Sequence, residues 1–321
     1  MNKLKLFLQR FENSSYYIFL IGIIAALFFT ATFLINRAIS LDGGHWFWSA
    51  FLRFLFTIIF LAIGFISFKG FSYFKLVIDE YIKNFVFWTT AGTIGFGFFY
   101  SLICYASYYS PAWVIATTFQ FTIIASLFVL LFFGKKLSKS VWAITAMIFI
   151  GVTLVNISHF DMSNIDLLLL GFVPVLIASF SFPIGNQMVW EEKEKRIKNN
   201  CDILIIKNSF AKIFLLTLGS APFWIFLYFS TDSGIPTYDQ YINVALITIL
   251  SGIIATSLFL YARSLCNTNN KLVLIDSTQS GDVFFALIGE IIFLSAVFPN
   301  ALGIVGILIT IFGLFLLVKI K

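Results

Sequence analysis

The stretch Lys271–Ile288, KLVLIDSTQSGDVFFALI, joins two apolar segments through Asp276-Ser277-Thr278-Gln279-Ser280-Gly281-Asp282. Its flanks have the composition of a membrane-spanning helix. Its middle carries two carboxylates, a glutamine and three hydroxyls. At about 1.5 Å of rise per residue, Asp276 lies roughly 7 Å and Asp282 roughly 16 Å from Lys271, close to the middle of a bilayer. A charge at the centre of a spanning helix costs about 2.5–3.5 kcal/mol on insertion scales, so two such acids are not expected to face lipid. At about 100° per residue, Asp276, Gln279 and Asp282 form a slanting stripe on one side. The turn reads either as a polar patch bonded to neighbouring helices or as a substrate or proton site.

The rest of the chain supports the membrane setting. Of 321 residues, 60% are hydrophobic and 11% charged, where soluble chains average about 25% charged. Mean hydropathy is +0.97. There is too little polar surface to cover a water-soluble globule, so the fold class is an all-α integral membrane protein. Long apolar runs favour helices over a β-barrel, which would show short alternating segments. Ten spans are expected at about 16–39, 46–67, 85–108, 112–133, 140–157, 166–190, 203–229, 242–264, 272–294 and 300–318. The N-terminal segment lacks a small-residue cleavage site, and its apolar run reads as the first span. High Phe, Ile, Asn and Lys suggest an AT-rich bacterial genome, which would make this a multi-pass protein of the plasma membrane.

Orientation follows the basic residues. With the N-terminus inside, 17 of the 21 Lys and Arg fall in inside segments, Arg263 and Lys271 among them, and none in outside loops. Arg37, Arg53, Lys207 and Lys212 lie within or at the ends of spans. Both termini are therefore expected to be cytoplasmic, and EEKEKRIK, Glu191–Lys198, is expected to extend the sixth helix into the cytoplasm. The net charge of +6 is spread over loops rather than gathered in a patch, which argues against nucleic acid.

The chain also matches itself at a shift of about 150 to 160 residues. Gly22 opens a helix ending Asn36-Arg37, and Gly171 one ending Asn186-Gln187. SLICYAS, Ser101–Ser107, pairs with SLFLYARS, Ser257–Ser264. Thr118-Phe119-Gln120 pairs with Thr278-Gln279. Residues 1–160 and 161–321 are thus two five-helix repeats, and an odd number of helices makes them inverted. Such repeats serve alternating access, with substrate held near the midplane.

The pattern resembles the drug/metabolite transporter superfamily in its ten-helix branch with two EamA-like halves. The residues carrying the resemblance are Gly289-Glu290, the Tyr105-Ala106 and Tyr261-Ala262 pairs, Arg53, and the glycines Gly303, Gly306 and Gly313. Lys135 stands where the first half would carry the glutamate. The resemblance implies that the first, third and fourth helices of each half surround a cavity, with the fifth and tenth peripheral. Among the branches, the chain is most similar to the multidrug resistance efflux group.

Candidate substrate contacts are Asn36, Tyr100, Tyr105, Thr118, Gln120, Asn186, Tyr261, Asp276, Gln279 and Ser280. Gln120 and Gln279 are expected on opposing walls. Asp276 and Asp282 are the candidates to exchange a proton, because a buried carboxylate is a group whose charge can differ between two states. An ion pair of Asp282 with Lys212 is the competing role. Glu290, near the outer interface, is expected to be structural. Arg53 and Lys212 either pair with buried acids or helix-end carbonyls, or grip an anion. Tyr108, Tyr109 and Trp113 are placed in an interfacial belt. His45 and His159 are scattered, no cysteine spacing suits a metal, and no cofactor or enzyme motif appears. The expected activity is secondary transport of a small organic solute, proton-coupled, by a monomer or homodimer. An anionic-metabolite exchanger using Arg53 and Lys212 is the alternative; an intramembrane lipid enzyme and a passive channel are less favoured.

Overall fold

The computed structural model describes residues 14–110, 112–158, 165–294 and 300–319, and all its elements are helical. Trp113 (its side chain), His159, Lys3, Lys5, Arg10 and Lys321 lie outside the described residues. Ten rods follow one another. They are α1 (Ser15–Leu41), α2 (Trp46–Lys69), α3 (Phe85–Tyr109), α4 (Ala112–Thr118 and Phe121–Phe132) and α5 (Lys139–Ile157). Then come α6 (Ile165–Lys198), α7 (Ser209–Gly219 and Ala221–Ser230), α8 (Tyr238–Ser264), α9 (Asn269–Leu294) and α10 (Ala301–Lys319). Eight are long and apolar enough to cross a membrane, and α5 and α10 contain shorter apolar stretches. The chain is a ten-helix membrane protein.

Local chemistry sets the starts. Ser14, Thr237, Asn208 and Thr268 accept the backbone N–H of Tyr17, Gln240, Ala211 and Lys271 through their side chains, which satisfies N–H groups left over at the helix entry. His45 Nδ1 does the same for Phe47 N at 3.2 Å. Burial lowers the His45 pKa against the opposing pull of Asp232, so the ring stays the neutral acceptor that this cap requires.

The two ends of the bundle differ. At one end Arg196 bridges Glu80 at 2.7 Å and Lys135 bridges Glu191 at 2.8 Å, while Asn269 Nδ2 donates to Lys136 O. We refer to this as the charged end. At the other, Gln240 Nε2 donates to His45 O at 2.8 Å and Trp48 Nε1 to Ser233 O at 3.0 Å. Burial disfavours the Arg196 charge, but its hydrogen bonds to Glu80 and Glu192 outweigh this and raise its pKa.

One element was not anticipated. Between α2 and α3 the chain forms a 13-residue amphipathic helix, Phe71–Lys83, with Val77 buried and Phe71, Leu76 and Ile82 exposed. Its Glu80 accepts from Trp88 Nε1 at 3.0 Å, which ties the helix to α3. Arg263, counted among the inside cations at the end of the eighth span, is 3% exposed within α8.

Packing is close where glycines meet. A Cβ on Gly95 would stand 2.8 Å from the Cα of Gly185, so α3 and α6 touch backbone to backbone. Gly92 of α3 and Gly219 of α7 likewise face the carbonyls of Leu216 and Trp88. α5 and α10 pair with each other, Gly151 facing the Gly306 carbonyl and Gly313 facing Ile148. α1 packs on α8 and α9, and α6 packs on α3 and α4.

Candidate functional site

A small cavity of about 40 Å³ lies among α1, α2, α3, α4, α6, α7, α8 and α9. The six helices expected to line it do so, and α2 and α7 add Arg53 and Thr217. Regular helix gives way around it. α3 and α8 each contain a π-helical stretch, Thr93–Phe98 and Thr248–Ala255. α4 is interrupted at Phe119 and Gln120, and α9 tightens to a 3₁₀ turn over Thr278–Ser280. Such departures concentrate at functional sites.

The walls combine rings with a few polar groups. Phe99 packs on Phe182 with ring centroids 4.8 Å apart and on Phe119 at 5.4 Å; Phe54 packs on Phe96 at 5.8 Å. The Arg53 guanidinium lies 3.8 Å from the centroid of the Tyr100 ring, and its Nη2 donates to Ser251 Oγ at 3.2 Å. Thr32 Oγ1 also donates to Ser251 Oγ, at 2.5 Å. Asn36 Nδ2 donates to the Tyr100 hydroxyl at 3.0 Å, which holds that ring from behind. Among the described residues no carboxylate lies within 4.0 Å of the Arg53 side-chain nitrogens, and Nη1 has no hydrogen-bond partner. Asp282 is 1% exposed, and its Oδ1 has none either. The cavity thus holds one basic and one acidic side chain, each with spare hydrogen-bonding capacity, in an apolar surround where polar contacts are strong.

Below this cavity, toward the charged end, runs a continuous polar chain. Arg263 Nε donates to Asp276 Oδ1 at 3.0 Å and its Nη2 to Gln187 Oε1 at 2.8 Å. Gln187 Nε2 donates to Glu191 Oε1 at 2.8 Å, and Lys135 completes the run. The series joins α6, α8 and α9 to the segment that follows α4.

The expected site residues therefore separate into groups. Tyr100, Gln279 and Asp282 line the cavity, with Asn36 one bond behind. Gln120 is fully buried beside Gln279 rather than across from it: its Nε2 donates to Gln279 O and Ala116 O, both at 3.1 Å. The two polar turns meet by contact because both glutamines sit where α4 and α9 cross. Thr118 is buried outside the wall, and Ser280 donates to Ser277 O at 2.8 Å. Asp276 is held by Arg263, and Asn186 lines smaller pockets nearer the charged end. Tyr105 lies on a separate apolar groove with Trp46 and Phe223, and Tyr261 is 36% exposed. Tyr108 is exposed beside Tyr109. Glu290 is 4% exposed, enclosed by the bundle.

The Asp282–Lys212 pair does not form. Lys212 Nζ donates to Leu260 O at 3.3 Å, at a different pocket from Arg53, so the two cations do not converge on one ligand. Arg263, Ser251, Thr32 and Phe182 went unrecognised as site residues. Arg263 carried a signal, since it occupies the Tyr-Ala-Arg-Ser repeat one helix before Asp276; the others are too common in apolar segments to stand out.

Fold and site together define a polytopic membrane protein with a central aromatic cavity. Residues 17–321 match the family model described as "EmrE: Putative multidrug resistance efflux transporter", and the chain belongs to this family of membrane transporters. It is 37% identical over 312 residues to the Bacillus subtilis (strain 168) "Uncharacterized protein YjlA", covering 92% of each chain. It is 33% identical over 276 residues to a Shouchella clausii protein named "Uncharacterized 42.1 kDa protein in intracellular alkaline protease 3'region", covering 82% of this chain and 69% of that one. A crystal structure titled "Crystal structure of protein" superposes with a TM-score of 0.65 at 14% identity, over 93% of this chain and 95% of the other, a likeness of fold.

Proposed function

We propose that this protein is a secondary transporter that exports a small organic solute by alternating access, with Asp282 exchanging a proton for a cationic group of the substrate. The observation that carries the reading is Asp282 itself: a carboxylate on the wall of the aromatic cavity, with an oxygen that no described residue engages. A carboxylate in this setting holds either a proton or a cation, and competition between the two couples their movements. Phenyl rings add affinity for flat or cationic solutes.

Residues 1–160 and 161–321 act in this reading as two inverted repeats. Supporting it, α1 packs on α8 and α9 just as α6 packs on α3 and α4. The π-helical stretches fall at matched places in α3 and α8, and the interruptions at matched places in α4 and α9. We assign the charged end to the cytoplasm from the Lys and Arg bias, and the cell membrane of a bacterium as the location, which the organisms of the two relatives support. We take the protein as a transporter rather than an enzyme on the strength of its family.

The test uses purified protein in liposomes, with a cationic aromatic dye such as ethidium as the probe and an imposed pH gradient. Saturable, gradient-driven flux with counterflow is expected, and Asp282→Asn should lose the gradient-driven part. Full pH-driven flux in Asp282→Asn would sink the coupling role. One observation favours a second reading: among the described residues no carboxylate pairs with Arg53, which suits exchange of an anionic metabolite. Counterflow of organic anions, independent of pH and lost in Arg53→Gln, would favour that reading.

A further inference from the structure

We propose a second ligand site, for an oxyanion of the phosphate or carboxylate type, in a pocket between α6, α7 and α8 at the charged end. The pocket is small, about 20 Å³, and shares no lining residue with the central cavity. Asn186, Trp190 and Lys193 reach it from α6, Lys212 from α7, and Leu260 and Arg263 from α8.

The chemistry of the lining is one-sided. Three cations meet there. Arg263 is balanced by Asp276, and Lys193 lies 3.4 Å from Glu194, which is 40% exposed at its side chain. Lys212 is 4% exposed and has no carboxylate within 4.0 Å among the described residues. The carbonyls of Leu260 and Ser264 already accept from Lys212 and Lys193. What remains unused is donors: Arg263 Nη1, Asn186 Nδ2 and Trp190 Nε1 are buried without a hydrogen-bond partner. Arg263 is 3% exposed and Asn186 4%. A buried polar group left unpaired is costly, and here three donors lacking acceptors sit beside Lys212, which no described carboxylate pairs. An oxyanion answers all of it together. It supplies negative charge to Lys212 and several acceptor lone pairs to N–H groups that arrive from different helices. A halide would answer only the charge.

The experiment titrates inorganic phosphate into the full-length protein in a neutral detergent at constant ionic strength, with thermal unfolding as the readout. Phosphate also stabilises proteins generically by exclusion from their surface, so the informative quantities are saturation and its dependence on the pocket. A saturable rise in Tm is expected, with the apparent Kd at least tenfold weaker in Lys212→Met and in Lys193→Gln. Lys207→Met, at an exposed position outside the pocket, should match the wild type. Either pocket variant suffices if the other fails to fold. A parallel arm compares phosphate-free nanodiscs of phosphatidylglycerol with those of phosphatidylcholine. A Lys212-dependent stabilisation by phosphatidylglycerol alone would assign the oxyanion to a lipid headgroup. A non-saturable rise equal in all variants, with no lipid effect, would overturn the site. Dye flux through the central cavity is scored separately, so failure here leaves the transport reading standing.

Discussion

At the scale of single residues, Asp276 and Asp282 look alike in the sequence and behave differently in the fold. Asp276 is clamped by Arg263. Breaking a buried pair leaves an uncompensated charge, at about 3–5 kcal/mol. Asp276→Asn should therefore lower the unfolding temperature strongly, while Arg263→Met combined with Asp276→Leu should recover most of the loss; equal stability of Asp276→Asn and wild type would contradict the clamp. Asp282→Asn should be neutral or stabilising, because it removes a carboxylate oxygen that no described residue engages. In the same variant we expect gradient-driven dye flux to fall at least tenfold. The two roles could not be told apart beforehand because the deciding partner, Arg263, lies on α8 across a short connection, where its charge reads as one more cation at the inner end of a span. Depth along a helix was legible from Lys271; partnership was not. Gln120 and Gln279 teach the same lesson: their matched places in the repeat were visible, but which side of a helix crossing they occupy depends on α4 and α9 together.

At the scale of elements, the spans were legible because length and hydropathy suffice to specify them. The amphipathic helix Phe71–Lys83 was not, since its apolar residues cover one face only and alternate with Lys75, Asp79 and Glu80. The π and 3₁₀ turns beside the cavity carry no residue signature at all. Glycines offer the cleanest test of the packing. A Cβ on Gly64 would meet nothing within 4 Å, so Gly64→Ala, inside α2 near its C-terminal end, should gain about 0.5–1 kcal/mol from helix propensity. Gly185→Val must instead push α6 away from the Gly95 backbone, and overpacking of this kind costs about 1–3 kcal/mol or more. A paired thermal-unfolding measurement checks both; a stabilised Gly185→Val would mean that α3 and α6 are not in backbone contact.

At the scale of the whole molecule, the uneven distribution of Lys and Arg was the strongest signal in the chain, and it leads to a labelling experiment that needs no engineered site. Cys104 and Cys266 are buried, whereas Cys201 is exposed just beyond the charged end of α6. A membrane-impermeant maleimide should label wild-type protein in inside-out vesicles and leave it unlabelled in right-side-out ones, with Cys201→Ser removing the signal. Labelling from the outer side would reverse the orientation.

The contact between Gly95 and Gly185 also has a mechanical meaning. Two backbones that touch without side chains between them can pivot but cannot approach, so in the proposed alternating-access reading this point would serve as a fulcrum. From Gly185 to the start of α6 at Ile165 is roughly 30 Å of helix. A tilt of roughly 10° about the fulcrum therefore swings that end by roughly 5 Å, close to one helical turn, while the rings of Phe182 and Phe99, next to the pivot, hardly move. A small rotation at the glycines becomes a large stroke at the ends of the lever.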